Sequence, residues 1–175
     1  MSDLTDHRRV PPEFDPDVSI THVKYEYDMA VATATLLSQG RDRTTAETFA
    51  LLESFLVHAR NLHDFFRPRS EAAIANRENP RHFSAGSVWA LDFVPGFGVE
   101  TFDAAAIATI NRWLQHLTTW RQEDDDHPGW SPSMLANIYA SIDEFLDTLL
   151  DQGHRGLLIP THQAAADLLR PAGLV

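Results

Sequence analysis

The sequence predicts an all-α fold, a four- to five-helix bundle, mostly antiparallel, with a long irregular segment at about 68–100. Three observations carry that expectation. Apolar residues recur at three- and four-residue spacing through four long windows. Most of these windows are bounded by a capping residue, a glycine or a proline. No stretch alternates with the two-residue period of a strand.

Residues 1–18 read as a flexible N-terminal arm, with Pro11, Pro12 and Pro16 and little periodicity, ahead of a single bundle domain over 19–175. Ser19 is placed to cap a first helix running to about Gln39. Its stripe is Ile20, Val23, Tyr27, Ala30, Val31 and Ala34, and Gly40 is placed to stop it. Thr44 and Glu47 have the spacing of a capping box for a second helix, which Pro68 ends near Phe66. The segment after it is too long for an idle connection, so it is either partly helical or functional. Within it "VWALDFV" is an apolar knot expected to plug back onto the bundle. A third helix is expected from Thr101, with Phe102, Ala106, Ile110, Trp113, Leu117 and Trp120 on its core face. Ser131 and Pro132 give a cap and first-turn proline for a fourth, ending before Gly153 with Leu135, Ile138, Ile142, Phe145 and Leu149 inward. A short last helix is expected from Thr161 to Pro171.

Composition narrows the function classes. The chain of 175 residues suffices for one domain with a real core, and it contains no cysteine, which removes disulfides, thiolate metal sites and thiol catalysis. No window is apolar enough to span a bilayer and the first residues lack a signal-peptide core, so the sequence reads as a soluble, cytoplasmic protein without a membrane partner. A net charge of −11 argues against a broad surface for nucleic acid. Thirteen of the 14 basic residues are arginines, several of them between Arg67 and Arg81.

The second helix is apolar almost all the way round, the pattern of a central helix buried by its neighbours. Yet Glu53, Arg60 and Asp64 fall within about 20° of one line at 100° per residue. Buried charges must pair, so Arg60 is expected to reach Asp64 one turn on, and a further donor to complete a polar centre. His116 is the favoured candidate, with Arg112 and Arg121 behind it. Such a centre reads as a structural ion-pair network, as a ligand or catalytic site, or as a stripe covered by a partner chain.

His58 and His63, five residues apart, lie about 140° apart round the helix and are poor joint metal ligands. Neither HExxH nor paired ExxH motifs occur, and no metal or cofactor is expected. Each histidine reads as a core-edge or surface residue. Arg112 and His116 share one side of the third helix, where an imidazole beside a cation can act on a phosphodiester.

The blocks "LLESFLVHARNLHDFF", "ALDF" and "INRWLQHLT" resemble small bacterial helical proteins similar in outline to the HEPN bundles. That resemblance implies a helical bundle and, for the nuclease members, a metal-independent ribonuclease with an Arg-x(4–6)-His motif, usually built across a homodimer. The chain departs from the motif. Arg112-x(3)-His116 is one residue short, Arg77-x(4)-His82 crosses Pro80, and Arg121-x(5)-His127 runs through three aspartates. Two classes therefore stand: a binding bundle with a Glu53–Arg60–Asp64–His116 centre that is structural or holds a small ligand or protein partner, and a ribonuclease of toxin or defence type with Arg112 and His116 catalytic.

Overall fold

The structure is a computed structural model and describes residues 14–77, 87–115 and 131–175. Within them the chain forms six α-helices and no strand: α1 (Pro16–Ser38), α2 (Thr45–Phe66), α3 (Glu71–Arg77), α4 (Ala104–Gln115), α5 (Pro132–Thr148) and α6 (Gln152–Leu169). Short 3₁₀ turns occupy Ala90–Asp92 and Arg170–Ala172. None of the helices is long and apolar enough to cross a membrane.

Helix α1 begins three residues before the expected Ser19, because Asp15 takes the cap: its carboxylate accepts from the N–H groups of Asp17 and Val18. Ser19 is instead buried in the first turns. The other end also differs. Gly40 does not enter the left-handed region; the Arg43 guanidinium closes the helix by donating to the carbonyls of Leu36 and Gln39. The capping box of α2 forms in both directions, Glu47 N–H to Thr44 Oγ1 at 3.2 Å and Thr44 N–H to Glu47 Oε2 at 2.8 Å. The Thr44 N–H first, and then the Thr44 hydroxyl, both donating to it, hold the Glu47 carboxyl below its usual range.

Helix α4 starts at Ala104 rather than Thr101, since Asp103 accepts from the Ala106 N–H at 2.7 Å. That frees Thr101 and Phe102 to be buried ahead of the helix, where the Thr101 hydroxyl accepts from Ser141 of α5. Leu117 and Trp120, placed on this core face by the sequence, lie outside the described residues. The Ser131–Pro132 start of α5 is as expected. The last helix is not short: α6 opens at Gln152 under an Asp151 cap, carries Pro160 inside it and runs to Leu169. Pro160 removes the N–H that would serve the Gly156 carbonyl. Both residues are exposed, so the carbonyl is not left buried.

Histidine–carboxylate contacts fix how these helices register. His58 Nδ1 of α2 donates to Glu26 of α1 at 2.6 Å, and Asn61 joins the same carboxylate at 3.0 Å. His154 of α6 donates to Asp17 at 2.8 Å, and the Tyr27 hydroxyl meets His162 at 3.1 Å, so α6 runs parallel to α1. His162 in turn donates to Asp143 at 3.2 Å and stacks on Tyr139, while Arg155 caps Leu146, placing α5 and α6 antiparallel. Burial first, then Tyr139 and Asp143, raise the Tyr27 phenol above its usual value, so it stays a neutral donor.

The core is one cluster drawn from α1, α2, α5 and α6, with Phe102 and Ile110 from the α4 side. Helix α2 is its central member, packed against α1, α4 and α5. Below the C-terminal end of α2 the returning segment closes the core. Val99 N–H donates to Phe66 O at 2.9 Å, Phe97 meets Phe66 and Phe145 edge to face, and Phe93 meets Phe145 in the same way. Two glycines allow this return. Gly96 turns at φ +81°, and a Cβ on Gly98 would stand 2.7 Å from the Pro68 Cα.

Candidate functional site

Along α2 the apolar residues Leu52, Phe55, Leu56, Ala59, Leu62, Phe65 and Phe66 are buried. Glu53, Arg60 and Asp64 are only half-buried, and Val57 beside them is 41% exposed. The charged line therefore marks the one side of this central helix that its neighbours leave partly open. This corrects the expectation of a sealed polar centre. Arg60 and Asp64 do not form an ion pair. Asp64 is bound by Arg67 instead, Nε to Oδ1 at 3.1 Å, because Pro68 ends the helix and turns Arg67 back over its last turn.

What Arg60 and Asp64 do share is a cleft. Arg60, Asn61, Asp64, Phe65, Arg67, Arg69, Ser87, Val88 and Trp89 line a cavity of about 360 Å³, bounded by α2 on one side and the returning segment on the other. Arg69 donates to the Asp64 carbonyl, which would otherwise be one of the unsatisfied last carbonyls of α2. Its guanidinium lies 4.3 Å over the Trp89 ring, and that of Arg77 lies 4.4 Å over the same ring. Arg77 is held in place by its Nη1, which donates to both Asp92 carboxylate oxygens at 2.7 and 2.6 Å, and Asp92 also accepts from the Trp89 N–H at 2.8 Å.

The electrostatics of the cleft are unbalanced. Arg77 is neutralised by Asp92. Arg60, Arg67 and Arg69 have only Asp64 among the cleft-lining residues. Burial first, and then the charge of Arg67, push Arg69 down to about 10, a cation still at neutral pH but one whose desolvation is not fully offset. Its Nε is buried without a hydrogen-bond partner. Among the described residues, no hydrogen bond or ion pair engages Arg60. Arg69 is accounted for by the helix end and the indole, and Arg67 by Asp64; the described residues give Arg60 no such role.

The other sequence candidates are scattered. Glu53 is half-buried on α2, three turns before Asp64 and outside the cleft lining. Arg112 is exposed on α4. His116, expected to complete the polar centre or to act with Arg112, lies outside the described residues, as do His82, Arg121 and His127. His58 and His63 are both buried rather than edge residues. His63 packs 6.0 Å from the Phe102 ring, and burial lowers its basicity. No three His, Asp or Glu side chains group as metal ligands among the described residues. Arg67, Arg69 and Trp89 were not singled out as site residues by sequence reasoning, although the run of arginines from Arg67 onward was visible.

Comparison with family models, with curated proteins and with solved structures finds no match to this chain.

Proposed function

We propose that this chain is a binding bundle that holds a small anionic ligand in the cleft between α2 and the returning segment, with Arg60, Arg67 and Arg69 as its cationic wall. The supporting observation is Arg60. A half-buried guanidinium that no hydrogen bond or ion pair engages among the described residues lines one cleft with two further guanidiniums, and its donors and charge suit an anion seated there. Arginine suits the task because its planar fork engages carboxylates and phosphates bidentately. The chain's net charge of −11 works against diffuse attraction of polyanions, so recognition here is local.

Thermal denaturation in a panel of small anions, each at millimolar concentration and matched ionic strength, tests this. Any anion that binds the native state raises Tm by mass action. The expected result is a rise for wild type that is absent in Arg60→Gln and Arg67→Gln; a wild-type Tm indifferent to every anion would remove the reading. The ribonuclease alternative is checked on the same sample by incubation with RNA in EDTA. Cleavage that disappears in His116→Ala would put a nuclease in place of the binding bundle.

A further inference from the structure

Resting on that anion-binding reading, we infer that the ligand of the cleft is a small molecule carrying a terminal phosphate monoester, with the dianionic phosphate held between Arg60, Arg67 and Arg69.

Charge and donor count both lead there. Three guanidiniums line the cleft with Asp64 as its one lining carboxylate, and Glu100 outside the lining adds only a smaller opposing charge at Arg69. The wall is therefore net positive, and a dianion offsets it more fully than a monoanion. Arg67 commits only Nε to Asp64, so its two terminal nitrogens remain available. Arg69 commits one terminal nitrogen to the Asp64 carbonyl and keeps the other. Arg60 commits none among the described residues. These donors exceed what one carboxylate can accept through two oxygens, whereas a phosphate monoester offers three strong acceptor oxygens. A phosphodiester offers two and a single charge, so an internal phosphate of a nucleic acid fits less well.

Size agrees with charge. A cavity of about 360 Å³ lies near the lower end of small-molecule sites, enough for the phosphate and a modest organic group. The depressed Arg69 supports the same conclusion from the other direction, since a dianion beside it would restore its ordinary basicity. The Arg69 and Arg77 guanidiniums over Trp89 fix the wall in advance, so little side-chain order has to be gained on binding.

Calorimetric titration with three probes tests the assignment: phenyl phosphate, diphenyl phosphate and phthalate. Phenyl phosphate should bind at least about tenfold more tightly than the other two, and Arg60→Gln and Arg67→Gln should each weaken it by at least about tenfold, as expected for charge-assisted hydrogen bonds. Its affinity should also fall as pH drops below about 6, where a phosphate monoester takes up its second proton. These variants are chosen over Arg69→Gln because Arg69 also closes α2 and stacks on Trp89, so its loss could unfold the cleft. Phthalate or diphenyl phosphate binding as well as phenyl phosphate, with the same dependence on Arg60 and Arg67, would overturn the phosphate assignment and leave the anion site standing. No binding of any probe, or binding untouched by both variants, would overturn both.

Discussion

The chain that returns after α2 meets that helix in two places, and the two junctions are built on opposite principles. At one, Phe65, Phe66, Phe93, Phe97 and Phe145 interlock edge to face, with Phe66 and Phe145 fully buried. At the other, Arg60 and Asp64 of that helix, with Arg67 and Arg69 just beyond its end, line a cleft of about 360 Å³ together with Trp89. Apolar partners lose contacts to any gap and pull shut, because close packing is where their energy lies. Like-charged guanidiniums repel one another, so a wall of three with one lining carboxylate does not pull shut as apolar partners do. The closed junction fixes the segment; the open one is free to bind.

If the aromatic junction is the anchor, damaging it should have the largest effect on stability. Phe145→Ala removes a ring that meets four other phenylalanines, and should cost about 3–5 kcal/mol in urea denaturation. A loss under about 1 kcal/mol would mean the junction collapses around the cavity and anchors nothing. Next comes the backbone contact that lets the segment approach. In Gly98→Ala the new methyl would press on the Pro68 backbone, and a cost of about 1–3 kcal/mol is expected. Gly40→Ala is the control. Nothing stands within 4 Å of its Cβ and its φ is ordinary, so it should be neutral or stabilise by up to about 1 kcal/mol. Equal costs at the two glycines would refute the close-approach argument.

The closed junction was far more legible in the sequence than the open one. Apolar periodicity located four long helices but only the second half of α6, and "VWALDFV" was placed back on the bundle, because apolar burial is decided by pattern and most such residues have one option. Helix ends were legible where a single cap competed, as at Thr44 and Ser131. They were not where Asp15, Asp103 or Asp151 took the cap from another candidate, since the local carboxylate-to-backbone bond leaves no periodic trace. The charged line of α2 was found, but its surroundings were misread. Angles on one helix say which residues are neighbours, not whether another element covers them. Arg60 and Asp64 share a line yet do not pair, because Pro68 turns Arg67 and Arg69 back onto Asp64. That competition depends on chain direction after the helix.

His63 lies near the boundary between the two junctions and gives the comparison a pH axis. Burial lowers its basicity, opposed by Glu100 and Asp64 and assisted by Arg67 and Arg69. Since the folded value lies below the unfolded one, the unfolded chain takes up the proton first. Stability is then complete above about 6.5, the unfolded histidine value, and is lost as pH falls through it. Melting curves between pH 7.5 and 5.5 should thus fall more steeply for wild type than for His63→Gln. Parallel curves would mean that His63 is solvated enough to protonate freely in the folded state.

The smallest effect on stability is expected at the residue that matters most to the open junction. A sealed ion-pair network would make Arg60→Ala cost about 3–5 kcal/mol, by stranding carboxylates. In the observed arrangement Asp64 keeps Arg67, and Arg60 has no partner among the described residues to strand. Denaturation of Arg60→Ala should therefore differ from wild type by less than about 1 kcal/mol, in either direction. A large loss would place Arg60 inside a network and turn the cleft into structure. A negligible loss, together with a lost response to anions, is the pattern of a side chain kept for what it binds. Neither Phe145→Ala nor Gly98→Ala can give that pattern, because each acts on the junction that holds the cleft in shape.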